Sequence, residues 1–461
     1  MNAVVVAVVL MLALSVARVN VVLSLVVGAF VGGLVGGLPL ADVKSLQGEI
    51  ITQGVMTHFQ NGLSGGAKIA LAYAMLGAFA MAIAHSGLPQ QLAGWVIRHM
   101  DQKQSKDMIP SRINWLKWSL ILLILMMGIM SQNVIPIHIA FIPMIVPPLL
   151  LAFNRMQIDR RLLACVMTFA LVTTYMFLPY GFGDIFLNKI LLANIESSGM
   201  PTAGIDVMQA MAIPALGMIV GLLIAVFISY RKPREYHNNL TDYQAERQAQ
   251  TQPKMSTYRS IVAFLAILVA FAVQLYYDDA LLLGAMLGFA VFMALGVVRR
   301  TEADSVFNSG IKMMAMIGFI MIAAQGFAEV MKATGEIKPL VDTAAQMFAS
   351  NKGMAAFAML LVGLLVTMGI GSSFSTLPII AAIYVPLCLS MGFSPLATIS
   401  IIGTAGALGD AGSPASDSTL GPTAGLNADG QHDHIRDSVI PTFLHYNLPL
   451  MVAGWIAAMV L

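Results

Sequence analysis

The chain has 461 residues, of which 58% are hydrophobic and 10% are charged, and its mean hydropathy is +0.81. Soluble domains carry about 25% charged residues, so this composition excludes a soluble protein and predicts one that crosses the lipid bilayer many times. The formal net charge of +2 gives no basis for a nucleic-acid partner. Cys165 and Cys388 lie in apolar segments, so no disulfide framework is expected.

Apolar stretches in the first half of the chain predict its membrane helices. Two of them open the chain, at 3–17 and 21–38. Further along, 118–154 contains no Asp, Glu, Lys or Arg, although one bilayer crossing needs only about 20 apolar residues. This stretch must therefore hold more than one helix.

The second half repeats the same order. Apolar stretches open it at 260–276 and 280–298, and a second long stretch, 353–409, is again uncharged. A polar break interrupts both long stretches at one constant offset of 242 residues, which pairs Ser131 with Ser373, Asn133 with Ser375 and Pro136 with Pro378. Such self-similarity indicates an internal repeat.

We predict an all-α polytopic membrane protein built from two inverted repeats, 1–230 and 260–461, with a hydrophilic cytoplasmic linker at 231–259. Each repeat would have about five transmembrane helices, and an odd number of crossings inverts the second repeat. With the linker inside, 19 of the 25 Lys and Arg residues lie inside and 6 outside, as the positive-inside rule requires. Both termini would then face outward from the inner membrane of a bacterial cell.

The two polar breaks are predicted to be the tips of re-entrant hairpins. Asn133 or Ser375 would cap the second half-helix of its hairpin, with the nearby proline in the first turn. Two complete spans joined by a short polar loop are the alternative, which length alone does not exclude. The tip residues proposed to bind substrate are Ser131, Asn133, Ser373, Ser375 and Thr376.

The segment 409–419 is polar and rich in Gly and Pro, and it directly follows the second long apolar stretch. Ionisable groups and non-helical backbone are tolerated at membrane depth where they line a cavity or an ion path. Carboxylate and hydroxyl oxygens suit a hard cation such as Na+. The alternative is a helix N-cap in a surface loop. The predicted ion-site residues are Asp410, Ser413, Ser416, Asp417 and Thr419.

Asp184, in Gly-Phe-Gly-Asp, occupies the corresponding place in the first half. It is a candidate substrate-binding residue and equally a candidate cap for the helix predicted at 185–194. His432 and His434 are interpreted as part of a solvated loop, because no third group of metal ligands accompanies them.

The sequence lacks two motifs that are typical of energy-coupled and hydrolytic enzymes. It contains no G-x-x-x-x-G-K-[ST] phosphate loop and no H-E-x-x-H. We therefore predict a non-enzyme with no cofactor, which uses Na+ or H+ as a coupling ion. Broken helices in inverted repeats are typical of secondary transporters, in which half-helix ends bind ions and substrates near the bilayer midplane.

The pattern Gly-Asp-x-x-Ser-Pro-x-Ser-Asp-Ser-Thr at 409–419 resembles the Gly-Asp-x-x-Ser-Pro-x-Ser-Asp-Thr-Thr signature of the NhaC-type Na+/H+ antiporter family. The resemblance covers most of the chain. It implies scaffold and transport parts, elevator-like motion, a homodimer and the same five ion-site residues. The chain departs from the family pattern at 420–422, where Leu-Gly-Pro replaces the usual Asn. Some branches of the family resemble amino-acid permeases.

Three functions are consistent with the sequence. The first is a cation-coupled carrier of a small amino acid or organic anion, the second a Na+/H+ antiporter without organic substrate, and the third a channel. Two equivalent broken sites favour alternating access over an open filter. Helix N-termini attract anions, so those expected at Asn133 and Ser375 favour the first function.

Overall fold

The structure is a computed structural model that describes residues 2–17, 19–45, 48–88, 110–133, 139, 141–237, 257–277, 280–340, 343, 351–370 and 373–461. In these ranges the fold is helical apart from a short antiparallel hairpin of β1 (Val43–Lys44) and β2 (Ile50–Thr52). Six helices of the described ranges are long and apolar enough to cross a membrane. The predicted helical membrane architecture is therefore confirmed.

The helices before the linker begin with two short apolar helices and one long one. In chain order they are α1 (Ala3–Val16), α2 (Val21–Val35), α3 (Val55–Ser86), α4 (Pro110–Asn133), α5 (Phe141–Arg155), α6 (Arg160–Phe177), α7 (182–197) and α8 (Val207–Ser229). The middle of α7, Ile185–Leu192, is π-helical.

The helices after the linker again begin with two shorter helices and one long one. They are α9 (Thr257–Tyr276), α10 (Leu281–Ala294), α11 (Arg300–Ala333), α12 (Lys352–Ile370), α13 (Ser373–Ser390), α14 (Pro395–Ala407), α15 (Asp417–Leu426) and α16 (His434–Val460). Each predicted uncharged stretch holds more than one helix, as expected.

Glycines end several helices earlier than hydropathy suggests. The stretch predicted at 21–38 stops being helical at Val35, before Gly37, whose φ is +83°. In the same way α10 ends at Ala294, before Gly296 with φ +69°. An apolar residue keeps a segment in the membrane, but a positive φ ends the helix there.

The long helices α3 and α11 pack against each other along most of their length and run antiparallel. A Cβ on Gly62 would lie 2.4 Å from the carbonyl oxygen of Gln325, and one on Gly77 would lie 2.4 Å from that of Gly310. Glycine at these crossings lets the two backbones touch, as small residues do between membrane helices. The two helices run in opposite directions, because the contacting residue numbers rise along α3 while they fall along α11.

The helices α8 and α16 form a second antiparallel pair of the same kind. A Cβ on Gly217 would lie 2.6 Å from the Cβ of Ala453, and one on Gly221 would lie 1.7 Å from the carbonyl oxygen of His445. Each pair joins equivalent helices: α3 and α11 are the third helices before and after the linker, and α8 and α16 are the last.

Helix contacts divide the described structure into two bundles. The scaffold bundle consists of α1–α3 and α9–α11, and the site bundle consists of α4–α8 and α12–α16. Most helix packing lies within one bundle. Across the boundary, α1, α3 and α11 of the scaffold bundle contact α5, α12, α15 and α16 of the site bundle. The boundary packs small and apolar groups, since a Cβ on Gly369 of α12 would lie 2.6 Å from Cγ2 of Val8 and 3.1 Å from Cε1 of Phe327.

Candidate functional site

The site bundle contains two interrupted helices, and the second interruption is the predicted ion-site segment. Helix α14 ends at Ala407, and Gly409 turns the chain with φ +87°. A single 3-10 turn, Asp410–Gly412, follows, and α15 then begins at Asp417 with the Ser416 hydroxyl accepting from the backbone N–H of Ser418 at 3.0 Å. The predicted break in the helix is confirmed.

Asp410 lies at the centre of this break and is 5% exposed. Its carboxylate accepts hydrogen bonds from the hydroxyls of Tyr175 on α6 and Ser416. The Ser373 hydroxyl, at the start of α13, lies 3.1 Å from the Tyr175 hydroxyl oxygen. Three residues predicted from sequence, Asp410, Ser416 and Ser373, therefore meet at one buried carboxylate.

Asp417 supplies the second carboxylate of the site. It is half-buried in the first turn of α15, and its Oδ2 accepts a hydrogen bond of 2.7 Å from the hydroxyl of Tyr73 on α3. A negative charge is favourable at a helix N-terminus. The charges of Asp410 and Asp417 lie close enough to repel each other, which a bound cation would offset.

Hydroxyl groups donate hydrogen bonds to both carboxylates: those of Tyr175 and Ser416 to Asp410, and that of Tyr73 to Asp417. Within the described ranges no three or more His, Cys, Asp or Glu side chains are grouped so that they could hold a metal ion. The donors fit a hard monovalent cation bound by oxygen, in which carboxylates, hydroxyls and carbonyls share the coordination.

Ser413 and Thr419 lie in the same break, where their side chains bind backbone groups. The Ser413 hydroxyl donates to the Met368 carbonyl at 3.2 Å, and the Thr419 hydroxyl donates to the Ser413 carbonyl at 2.6 Å. Both residues thus hold the non-helical backbone of the break in shape. Their role as ion ligands stays a prediction.

The first interruption lies between α6 and α7, where Gly181 has φ +58°. Asp184 follows it and is half-buried, with Oδ1 accepting from Nδ2 of Asn188 at 2.7 Å. The alternative that Asp184 caps this helix is wrong, because the helix already begins at Phe182 and the carboxylate makes no cap hydrogen bond. Phe186 of the same helix packs on the Tyr175 ring at 4.7 Å between centroids, so α7 supports the Asp410 site indirectly.

The predicted hairpin tips are described in part. Ser131 is buried and donates to the Gly128 carbonyl at 2.7 Å, and Thr376 is fully buried. Asn133 is the last residue of α4, and its side chain, like 134–138, lies outside the described residues. The predicted N-cap at Ser375 is wrong, because α13 already includes Ser373. Helix ends depend on hydrogen bonds that a sequence pattern does not fix. The Ser375 side chain is also outside the described residues.

The interpretation of His432 and His434 as a solvated loop is wrong. His432 is 2% exposed, and its Nε2 lies 2.8 Å from the Ser438 hydroxyl. His434 places Nε2 2.9 Å from the Pro414 carbonyl oxygen and Nδ1 2.8 Å from the Thr423 hydroxyl. Through the contact of His434 with the Pro414 carbonyl, this part of the chain packs against the ion-site break and supports its backbone.

The fold and the site define a multi-pass membrane protein of the transporter class. A sequence model of the Na+/H+ antiporter family matches residues 166–455, and a second model, also of a Na+-H+ antiporter family, matches residues 2–100. The chain belongs to the Na+/H+ antiporter family, and the predicted resemblance to its NhaC-type members is confirmed.

Relatives and solved structures align with 95–100% of the chain. A membrane protein of Vibrio parahaemolyticus is 53% identical over all of both chains. YuiF of Bacillus subtilis, named as a candidate amino acid transporter, is 49% identical over all of both chains. Among solved structures, the YdaH transporter of Alcanivorax borkumensis aligns with TM-score 0.41 and 14% identity over 99% of this chain and 98% of its own. MtrF of Neisseria gonorrhoeae, from a class of antimetabolite efflux pumps, aligns with TM-score 0.40 and 13% identity over 95% and 94%.

Proposed function

We propose that the protein is a secondary active transporter that couples a cation, Na+ or H+, to the movement of a small amino acid or organic anion by alternating access. One observation supports this most directly. Asp410 and Asp417 both lie at a break between helices α14 and α15, and hydroxyl groups donate hydrogen bonds to both carboxylates. Such a site is costly to bury unless a cation binds there.

Na+ is the proposed coupling ion because the site offers oxygen ligands alone. Asp410, Ser413, Ser416, Asp417 and Thr419 lie within one break of eleven residues, 409–419. Carbonyl groups released from helical bonding at the break add further oxygens. The coupling cation would neutralise the paired acids and stabilise the loaded state.

An amino acid is the proposed substrate for two reasons. First, the N-termini of α13 and α15 meet the site, and free N–H groups at a helix start attract carboxylates. Second, the relative YuiF is named for amino acid transport. Substrate contacts would come from Ser131, Asn133, Asp184, Ser373, Ser375 and Thr376.

Na+/H+ exchange without an organic substrate is the second candidate function. Membership in the Na+/H+ antiporter family favours it. The same pair of carboxylates would then bind Na+ on one crossing and protons on the other.

The inverted-repeat topology belongs to the same proposal, with repeats at 1–230 and 260–461, both termini outside a bacterial inner membrane, and a homodimer. Antiparallel packing of α3 on α11 and of α8 on α16 supports the inversion, because equivalent helices of inverted repeats run in opposite directions. Single cysteines at Gln132 and Phe374 should then react with impermeant thiol reagents from opposite sides. Labelling of both from one side alone, under every transport condition, would contradict the inversion.

Purified protein in liposomes tests the function. Radiolabelled amino acids and organic anions should be screened with an inward Na+ gradient and with choline in place of Na+. Uptake that requires the gradient is expected for at least one solute. Rapid dissipation of a pH gradient by Na+ alone, unaffected by every solute of the screen, would instead establish the second candidate function.

A further inference from the structure

The two carboxylates of the site differ in which bundle holds them. Asp410 accepts from Tyr175, and both residues belong to the site bundle. Asp417 accepts from Tyr73, which lies on α3 in the scaffold bundle. One carboxylate is therefore held internally, and the other is held across the boundary between the bundles.

The hydrogen bond from Tyr73 to Asp417 directly joins the scaffold bundle to the site bundle. Elsewhere the boundary packs small and apolar groups, such as Val8 and Phe327 against Gly369. Apolar packing allows surfaces to slide, whereas a hydrogen bond has one preferred geometry.

The Tyr73 side chain is buried at the boundary between the bundles. It is 4% exposed, and its hydroxyl reaches Asp417 at 2.7 Å. A hydrogen bond to a carboxylate is strong while the carboxylate keeps its full negative charge, and it weakens once another group neutralises that charge. The strength of this contact between the bundles thus depends on what occupies the ion site.

Resting on the proposed function, we propose that Tyr73 is a positioning residue that makes movement of the site bundle depend on cation occupancy at Asp417. With the site empty, the hydrogen bond from the Tyr73 hydroxyl to Asp417 holds α15 against the scaffold bundle. A cation bound to Asp417 neutralises part of the carboxylate charge and so weakens this hydrogen bond. The site bundle can then move along the apolar boundary.

A cross-link across the boundary reports this movement without measuring transport. Val8→Cys and Gly369→Cys, in a background with Cys165→Ala and Cys388→Ala, place two thiols where a Cβ at 369 would be 2.6 Å from Cγ2 of Val8. Disulfide formation needs Cβ atoms within about 4.5 Å, so oxidation should be fast while the bundles stay docked. We expect Na+, compared with choline, to slow cross-linking about tenfold, as loss of a charge-assisted hydrogen bond implies.

Three variants in this background test the role of Tyr73. Tyr73→Phe and Asp417→Asn should both cross-link slowly with or without Na+, the first because the donor is lost and the second because the charge is lost. Tyr384→Phe is the matched control, since it removes a buried hydroxyl that donates at 2.6 Å to the Met359 carbonyl inside the site bundle. It should keep the full Na+ response.

The outcomes separate this inference from the proposed function. If Na+ still slows cross-linking in the Tyr73→Phe protein, the proposed role of Tyr73 is wrong. It is also wrong if Na+ does not change the cross-linking rate of the parent protein while Na+-driven uptake proceeds. Absence of any cation-dependent uptake in the liposome screen overturns the proposed function itself. If Tyr73→Phe does not yield folded protein, the Asp417→Asn response decides: a Na+ effect that survives in it overturns the proposal.

Discussion

Replacing Asp429 by Asn would leave a buried arginine without its negative partner. Arg160, at the start of α6, and Asp429, just after α15, have side chains that are 0% and 1% exposed. The guanidinium donates to both carboxylate oxygens at 2.6 Å, and it also donates to the Leu426 carbonyl at 2.8 Å. Helix α6 therefore contacts the chain on both sides of α15: Tyr175 bonds Asp410 before it, and Arg160 bonds Asp429 after it.

The magnitude follows from the burial of this pair. Removing one partner of a buried ion pair costs about 3–5 kcal/mol, because the remaining charge stays desolvated. Glu329→Gln is the matched control. Glu329 lies 3.9 Å from Lys332, and the two side chains are 41% and 40% exposed. Exposed pairs contribute about 0.2–1 kcal/mol, so the control should be almost neutral.

Thermal unfolding of the purified variants in detergent measures both changes. Asp429→Asn should unfold at a clearly lower temperature than the parent, and Glu329→Gln should unfold close to it. Replacing both partners by apolar residues, Arg160→Met with Asp429→Leu, should recover part of the loss. Equal unfolding temperatures for Asp429→Asn and Glu329→Gln would refute the assignment of Arg160–Asp429 as a buried, paired charge.

The same pair predicts a pH dependence. Burial raises the pKa of Asp429, the hydrogen bonds from Arg160 lower it, and the net pKa lies below its usual value. A lowered folded pKa gives stability that is present above the unfolded pKa, about 3.9, and is lost as pH falls through the folded pKa. The parent should therefore lose stability below about pH 4, and Asp429→Asn should lack this component of the loss.

Two further substitutions test the site and the helix packing. Tyr175→Phe removes a donor that competes with a cation for the charge of Asp410, so it should strengthen Na+ affinity about tenfold. The affinity is measured as the Na+ concentration that gives half of the thermal stabilisation, and an unchanged value would count against a role for this hydroxyl. Gly77→Leu should prevent folding, because a Cβ at this position would lie 2.4 Å from a backbone oxygen. Gly65→Ala should be tolerated, because the nearest atom to a Cβ there is 3.7 Å away. Size-exclusion profiles of the two variants test this difference.

Sequence reasoning located the ion-site break because its residue types conflict with their surroundings. Asp410, Gly412 and Pro414 interrupt an apolar stretch, and each disfavours a continuous helix in lipid. Ser373 was predicted from the repeat, and the structure places it beside the Asp410 site. Both predictions depend on local pattern alone.

The tyrosines of the site were not predictable in this way. Tyr73 lies 344 residues from Asp417, and Tyr175 lies 235 residues from Asp410. Each sits in an apolar helix, where a tyrosine is an ordinary buried residue. The only available signal was a phenol group that must find a hydrogen-bond partner at membrane depth. The Arg160–Asp429 pair was not predictable for the same reason, because its members lie 269 residues apart.

The solvated loop assigned to His432 was wrong for a related cause. Composition marked 427–437 as polar, and polar segments usually face water. In the structure the polar groups satisfy one another instead, as His432 does with Ser438 at 2.8 Å. A buried polar network has the composition of a loop but the environment of a core.

Binding of radioactive Na+ to the purified protein tests the central claim, a cation site formed by two carboxylates, most directly. The parent and Glu329→Gln should bind Na+ saturably, and K+ or choline should not displace it at equal concentration. Asp410→Asn and Asp417→Asn should each abolish saturable binding while eluting as folded protein. Unchanged Na+ binding in both variants, or no saturable binding in the parent, would contradict the account.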